Sequence, residues 1–276
     1  MNKEIALVYM VAWMSSRFGG KIKQFAKVWP NNSTLIEYSL QQALPAWFSK
    51  IIFIVGKMTS SPFKETFGDN YKSIPVEYAT QTFDETTRDR PRWTVDALCC
   101  AKDLINWPCV VCNWDDIYWA HSFKILFDHL QNSDESVSIW YILENVVPDK
   151  WSVNRWIFQI NWEDYVQDIK EIIWIEKQKL TEIWLNNKDL CSMNIFWLSK
   201  SALELLNNRL SDFKIEHNGD RKIECYLPVE ISNIVKEEWI KMKLYSTPDT
   251  RFGVTNPEDE EIVKKQIQEY ENNLNQ

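Results

Sequence analysis

The chain has 276 residues, 45% of them hydrophobic and 25% charged, with a formal net charge of −8. That length suffices for one large α/β domain or two small ones, and the acidic balance excludes a general nucleic-acid binder, which carries a basic excess, while leaving room for a local basic site that holds one nucleotide. No stretch approaches the ~20 apolar residues of a membrane span, and Lys3 and Glu4 flank a run too short for a signal peptide. A soluble, cytoplasmic protein is expected. Residues 4–12 (Glu-Ile-Ala-Leu-Val-Tyr-Met-Val-Ala) read as a buried strand, followed by a long polar loop over 13–32. Ser33 or Thr34 caps a helix that runs through Leu35, Ile36, Tyr38, Leu40 and Ala43. Lys50–Gly56 is a second buried strand, with a short helix near 60–67 and a strand near 75–80. Residues 93–105 show helical spacing, 108–113 form another strand and 121–131 another helix. The segment 136–198 is strand-rich: Ser-Val-Ser-Ile-Trp-Tyr-Ile, Arg-Trp-Ile-Phe-Gln-Ile and Cys-Ser-Met-Asn-Ile-Phe. Helices return at 200–209 and 224–236, a strand covers 240–246, and a charged amphipathic helix covers 257–273.

The βαβα alternation implies α/β architecture with a mostly parallel mixed sheet flanked by helices and a strand-rich insertion in the second half. A single domain over 1–276 is expected. The six cysteines (Cys99, Cys100, Cys109, Cys112, Cys191, Cys225) lie mostly in apolar runs. Cys109 and Cys112 have Cys-x-x-Cys spacing but no second pair or histidine at zinc distance, so they read as reduced, buried strand residues.

One total is abnormal. The chain carries 15 tryptophans and only 6 glycines, where ordinary chains hold about 7% glycine. The two residues together take about the share that glycine alone takes elsewhere. The indoles also fall where glycine is favoured. Trp13 opens the loop after the first strand, and Trp29 and Trp151 sit in turns. Trp47 and Trp239 follow helical runs. Trp107 precedes Pro108, Trp114 and Trp119 bracket Asp-Asp-Ile-Tyr, and Trp162 lies between two strand-like runs. Tryptophan fits poorly at positive φ and keeps a ligand away from the backbone; glycine does the reverse. The expectation is that most of these positions are glycine in the living protein, through UGA recoding: some bacterial lineages read UGA as glycine, whereas another common code reads it as tryptophan. A literal Trp-rich sugar binder would place its indoles on one exposed face.

In an open α/β sheet, ligands bind at the carboxyl ends of the strands, and two polar clusters fall there. The first, Ser15-Ser16-Arg17-Phe18-Gly19-Gly20-Lys21-Ile22-Lys23-Gln24, offers backbone N–H groups, an arginine and lysines to a triphosphate. A solvated basic loop is the plain alternative. The second, Asn113-Trp114-Asp115-Asp116, ends a buried strand with adjacent carboxylates suited to Mg²⁺, or to a helix cap.

Read with glycine at tryptophan positions, Val-Ala-[Gly]-Met-Ser-Ser-Arg-Phe-Gly-Gly-Lys-Ile-Lys-Gln resembles the N-terminal signature of the sugar-1-phosphate nucleotidylyltransferase-like nucleotidyltransferases. Further matches run in order: Val-[Gly]-Pro-Asn-Asn-Ser-Thr-Leu-Ile-Glu-Tyr-Ser, Arg-[Gly]-Thr-Val-Asp-Ala-Leu, Asn-[Gly]-Asp-Asp-Ile-Tyr-[Gly], Ser-Met-Asn-Ile-Phe-[Gly]-Leu and Arg-Phe-Gly-Val-Thr-Asn-Pro-Glu-Asp. They cover nearly the whole chain. The resemblance implies a Rossmann-like, GT-A-like fold. Its nucleotide-binding half would span about 1–135, its sugar-phosphate half about 136–256, and a C-terminal helix about 257–273. The implied activity is transfer of a nucleotidyl group from an NTP to a phosphorylated acceptor, most simply a sugar 1-phosphate, with release of pyrophosphate. The partners are those two small molecules and not nucleic acid or membrane, and the cofactor is Mg²⁺. A catalytically degenerate binder of the same fold is the alternative.

Residue by residue, the resemblance implies catalytic roles for Arg17 on the β- and γ-phosphates and for Lys23 near the α-phosphate, with Lys21 as a second basic residue beside it. Ala12, Trp13, Met14, Ser15, Ser16, Gly19, Gly20 and Lys21 would form the phosphate loop; Gln81, Trp93 and Thr94 would read the base. Asp115 would hold the metal, with Asp116 as the fallback. Glu176, Lys177 and Asn194 fall where relatives contact the sugar phosphate. The segment Arg251-Phe252-Gly253-Val254-Thr255 departs from the family pattern, because it lacks the second metal-binding aspartate that many relatives carry. Asp249 is close in sequence.

Overall fold

The computed structural model describes residues 4–13, 22–27, 33–46, 48–105, 108–114, 116–149, 151–247, 252–253 and 259–274. The first strand, β1 (Ala6–Met10), is buried at every position. It lies between β2 (Lys50–Val55) and β5 (Cys109–Asn113), parallel to both. Beyond β2 come β4 (Ile74–Thr80), parallel to it, and the two-residue β3 (Asn70–Tyr71), antiparallel to β4. On the other side of β5 lie β10 (Leu190–Leu198), antiparallel, then β7 (Ser136–Ile142) and β11 (Met242–Ser246), which are parallel to each other. The sheet order is β11-β7-β10-β5-β1-β2-β4-β3. Strands β8 (Val153–Ile160) and β9 (Val166–Ile175) form a long antiparallel ribbon joined to it through β10. This is the mostly parallel mixed sheet with a strand-rich insertion that the alternation of elements predicts.

Continuous apolar runs suit strands covered on both faces, and the side chains alternate accordingly. Leu7, Tyr9, Ile51, Phe53, Val55, Val110 and Cys112 point into one core with α1 (Leu35–Ala43), α2 (Ser60–Phe67), α4 (Ala120–Asn132) and α7 (Asp259–Leu274). Ala6, Val8, Met10, Ile52, Ile54, Cys109 and Val111 point into the other with α3 (Trp93–Cys100), α5 (Lys200–Glu216) and α6 (Leu227–Glu237). Cys109 and Cys112 are free and buried, and burial pushes both thiols well above their ordinary pKa. Among the described residues no three His, Cys, Asp or Glu side chains converge as a metal site, and no helix is long and apolar enough to cross a membrane.

The helix start at Thr34 is a capping box. The Thr34 hydroxyl accepts from the Glu37 N–H at 3.4 Å, and the Glu37 carboxylate accepts from the Thr34 N–H at 2.8 Å. Two helix ends move from their expected places. α3 stops at Cys100, where the chain tightens into turns closed by Ala101 N–H to Leu98 O and Leu104 N–H to Ala101 O. α5 runs on to Glu216, because Leu210 and Phe213 continue its apolar stripe into the second core.

The ribbon is tied to α6 through Asp168. Its carboxylate accepts from the Ser232 hydroxyl at 2.6 Å, from the Ile169 N–H at 2.9 Å and from the Lys236 ammonium, with Lys170 at 3.5 Å. Burial alone would raise its pKa, but Lys236, Ser232 and the backbone donor outweigh burial and bring it down to about 2. The folded value lies below the unfolded one, so the stabilisation is present above pH ~4 and is lost as pH falls toward 2. Asp168→Asn is expected to cost on the order of 2 kcal/mol at pH 7 and to flatten the acid limb of a melting-temperature profile between pH 4 and 2. An unchanged acid limb would assign that limb to other carboxylates.

Candidate active site

All four parallel strands β1, β2, β4 and β5 end on the same edge of the sheet, and β1 is the point where the connections diverge: β1 leads to β2 on one side, while β5 lies on the other. A crevice opens there. One chamber, of about 220 Å³, is lined by residues that follow β1 (Ala12, Trp13), β4 (Gln81) and β5 (Trp114), by Trp93 and Thr94 at the start of α3, and by Asn194 of β10. A neighbouring chamber of about 500 Å³ is lined by Gly56, Lys57, Thr80, Gln81 and Glu85, and it shares Ala12, Trp13, Gln81 and Pro91 with the first.

Each wall is held by identifiable bonds. The turn after β1 is tied to the short 3-10 segment Lys23–Phe25 by Gln24, whose side-chain amide donates to Val11 O at 3.2 Å and Trp13 O at 2.9 Å. Gly56 lies so close to that turn that an added Cβ would sit 2.6 Å from Ala12 O. Gly56→Ala must therefore push the β1 turn away, an overpacking cost of about 1–3 kcal/mol. The expected result is a lower melting temperature; a variant as stable as the parent would mean that the turn yields freely.

The Gln81 amide donates to Trp93 O and to the Asp96 carboxylate, both at 3.1 Å, and Asp96 is also paired with Lys214 at 2.7 Å. Two oxygen acceptors, Trp93 O and the Asp96 carboxylate, fix the amide orientation, so the group Gln81 offers the crevice is its carbonyl oxygen. Thr94 Oγ1 accepts from Leu227 N–H at 2.7 Å, stitching the start of α3 to the start of α6. Asn194 sits at φ +57 inside β10, at the register shift between Ser192 and Phe196, and its N–H donates to Ser192 Oγ at 3.2 Å. A left-handed residue within a strand is held there by its surroundings, and such residues cluster at functional sites.

Of the residues named from sequence, Ala12, Trp13, Gln81, Trp93, Thr94 and Asn194 line one chamber. Lys23 is buried, its ammonium 4.8 Å from the centroid of the Trp114 ring, which is part of the wall. Asp116 is buried on β6 (Asp116–Ile117), which pairs antiparallel with β12 (Phe252–Gly253), opposite Gly253. Glu176 and Lys177 are not in the crevice lining; they pair with Lys179 at 2.8 Å and Asp149 at 3.0 Å. Met14, Ser15, Ser16, Arg17, Gly19, Gly20, Lys21 and Asp115 lie outside the described residues. Sequence reasoning missed Trp156, Glu171 and Tyr226 in the lining. Burial and the hydrogen bond to Glu224 raise the Tyr226 pKa, so it remains a neutral hydroxyl. None of His121, His129 and His217 lines either chamber.

Residues 21–150 match the family described as nucleotidyl transferase. This stretch of the chain is similar to nucleotidyl transferases. It contains β2, β4, β5 and α3, the elements that carry or precede Gln81, Trp93, Thr94, Asn113 and Trp114, and it begins four positions after Arg17 in the sequence. The fold extends further. A UDP-glucose pyrophosphorylase complexed with UDP-glucose aligns with a TM-score of 0.67 at 14% identity, covering 97% of this chain and 100% of that one. The apo form of a UDP-glucose pyrophosphorylase gives 0.66 at 14%, over 98% and 100%. A structure from Bacillus anthracis described as a glucose-1-phosphate thymidylyltransferase, with sucrose bound, gives 0.67 at 12%, over 95% and 93%. At these identities the likeness establishes the fold. No curated protein sequence matches the chain.

Proposed function

We propose that the chain transfers a nucleotidyl group from an NTP to a phosphorylated acceptor, most simply a sugar 1-phosphate, and releases pyrophosphate. The observation that carries this reading is the crevice at the carboxyl ends of β1, β4 and β5, where residues from the stretch similar to nucleotidyl transferases face Asn194, Glu171 and Tyr226 from the second half. Ala12 and Trp13 border the space for the phosphates, and the residues from Met14 to Lys21 would supply donors to them. Gln81 presents an acceptor to the base, which suits any base edge bearing an N–H, whether of the ring or of an amino group. Thr94 and Asn113 line the same chamber. Asn194 and Glu171 face the acceptor side, with neutral and anionic oxygens suited to sugar hydroxyls.

The acceptor phosphate is already a nucleophile at neutral pH. One of its oxygens attacks the α-phosphorus in line, the bond to the bridging oxygen breaks, and pyrophosphate carries away the negative charge. No Ser-His-Asp relay is required. Positioning, together with the charges of Lys23 and Arg17, lowers the barrier. The carboxylates of Asp115 and Asp116 are the hard oxygen donors that would hold Mg²⁺. One or two protein carboxylates completed by substrate phosphates is the usual binding mode of this ion. When bound, the ion supplies charge neutralisation on the phosphate oxygens.

The test is a coupled assay of pyrophosphate release by the protein purified from the cell that makes it, with each NTP, a panel of sugar 1-phosphates and Mg²⁺. Mg²⁺-dependent pyrophosphate release that requires both an NTP and a sugar 1-phosphate supports the reading. Tight NTP binding without turnover would select the degenerate binder.

A further inference from the structure

Eight described residues other than glycine have positive φ, and four of them are tryptophans: Trp93 at +67, Trp174 at +59, Trp184 at +61 and Trp239 at +56. Left-handed backbone crowds a Cβ, and a large aromatic residue has no compensating local hydrogen bond to offer, unlike asparagine or aspartate. The local motifs are ones that glycine serves. Trp184 follows the 3-10 segment Lys177–Ile183; its N–H donates to Thr181 O at 3.4 Å, and the next N–H, of Leu185, donates to Leu180 O at 2.9 Å. That pair of bonds is a Schellman ending, whose left-handed residue is usually glycine. Trp239 lies just past α6, where Ile240 N–H turns back to Ile234 O at 3.3 Å. Trp174 sits in the extra residue of β9, where Val153 faces Ile175 but Arg155 faces Ile172, a bulge of the kind that takes a left-handed glycine. The side chains of Trp174, Trp184 and Trp239 are 72%, 96% and 86% exposed, so no packing gain offsets the strain. Trp197 is fully buried in β10, and among the described residues its indole N–H has no acceptor.

Other tryptophans bound the inference. Trp119 has φ −81, and in the Trp162 turn the left-handed residue is Asp164, at +58. Trp29, Trp47 and Trp107 lie outside the described residues.

The same substitution has a consequence in the crevice. Trp13 lines both chambers, and its ring packs edge-on against Trp93, with centroids 4.6 Å apart and planes at 65°. Trp114 fills the floor beside them. The first chamber, about 220 Å³, is smaller than the ~300–1,000 Å³ of ordinary ligand sites. We infer that glycine is the native residue at 93, 174, 184 and 239, and with them at 13 and 114, and that the working protein has one continuous crevice in place of the two chambers that Trp13 and Trp93 divide. The crevice half of this inference rests on the nucleotidyl-transfer reading; the backbone half does not.

Two sets of measurements test it separately. Trp184→Gly and Trp239→Gly, made singly in the chain as written, are expected to raise the melting temperature by about 2–4 °C each, since relief of left-handed strain outweighs the flexibility glycine adds. At an ordinary helix or strand position the same change lowers it, so an unchanged or lower melting temperature in both variants overturns the assignment. Peptide mass spectrometry of the protein purified from its own cell should find glycine at 13, 184 and 239; tryptophan there overturns it outright. For the crevice, the triple variant Trp13→Gly/Trp93→Gly/Trp114→Gly should bind UTP or TTP with Mg²⁺ at least tenfold more tightly than the chain as written, by calorimetry. Equal affinity overturns the single crevice. Stability gains without any nucleotide binding keep glycine at the remote sites and remove the nucleotide reading.

Discussion

Replacing Lys23 by alanine is expected to lower kcat by on the order of 10²–10³, the usual cost of removing one preorganised charge from a site where charge develops in the transition state. The argument starts from position. Lys23 follows the β1 loop, on the short turn that Gln24 ties to Val11 and Trp13, and its ammonium rests 4.8 Å from the Trp114 ring at the wall of the crevice. It is buried, so the surrounding low dielectric strengthens its interaction with phosphate oxygens. Truncation also removes packing against Trp114. Lys23→Met separates the two effects, because it keeps the aliphatic stem and deletes only the charge. Both variants should lose turnover alike, while Met keeps the melting temperature nearer to that of the parent. A Lys23→Met enzyme within about threefold of parental kcat would move the role to Lys21 or Arg17.

The parts of the fold that were legible before any coordinates are those specified locally. Thr34 and Glu37 announce a helix start through a reciprocal pair of bonds three residues apart. The unbroken apolar runs of β1, β2 and β5 announce strands covered on both faces. Of the crevice lining, Ala12 and Asn113 end apolar runs whose ends are marked in the chain, whereas Gln81 and Thr94 were named through the family resemblance. The opposite wall was not legible. Glu171 and Trp156 reach the crevice only because β8 and β9 pair as a ribbon and join the sheet through β10. Tyr226 reaches it only because the segment before α6 is stitched to the start of α3. Such contacts between distant segments leave no periodic signal. Glu176 and Lys177, which the resemblance sets at the sugar phosphate, each have a nearby partner of opposite charge in the fold. The surplus of tryptophan was visible as a total and a pattern, but only the backbone angles distinguish Trp184, in a left-handed ending, from Trp119, in ordinary extended backbone.

Arg88→Ala should be the most destabilising single substitution near the crevice, lowering stability by about 3 kcal/mol and the melting temperature by on the order of 10 °C. Arg88 is buried, and its guanidinium donates to three backbone carbonyls: Arg90 O at 3.0 Å, Asp220 O at 2.6 Å and Ile223 O at 2.6 Å. Burial pulls its pKa below the ordinary value, yet arginine stays protonated in proteins, so the bonds are charge-assisted and short. Removing the side chain leaves three carbonyls without this donor in a place water reaches poorly. The bonds join segment 84–92 to segment 220–223. Arg221 reinforces the junction by pairing with Asp89 at 2.7 Å and donating to Thr86 O at 2.7 Å, and Cys225 N–H donates to Arg92 O at 2.9 Å. Pro91, Trp93 and Thr94 on one segment, and Tyr226 and Pro228 on the other, are walls of the crevice. The junction therefore sets the width of the site as well as the stability of the fold. Arg88→Lys keeps the charge but cannot reach three carbonyls with a planar fork, so it should lose most of the same stability. At a temperature where both variants remain folded, KM for the nucleotide should rise further than kcat falls, because the walls loosen while Lys23 stays in place. An Arg88→Ala protein that melts within 2 °C of the parent, with an unchanged KM, would show that the Arg221–Asp89 pair and the Cys225–Arg92 bond hold the two segments together without it.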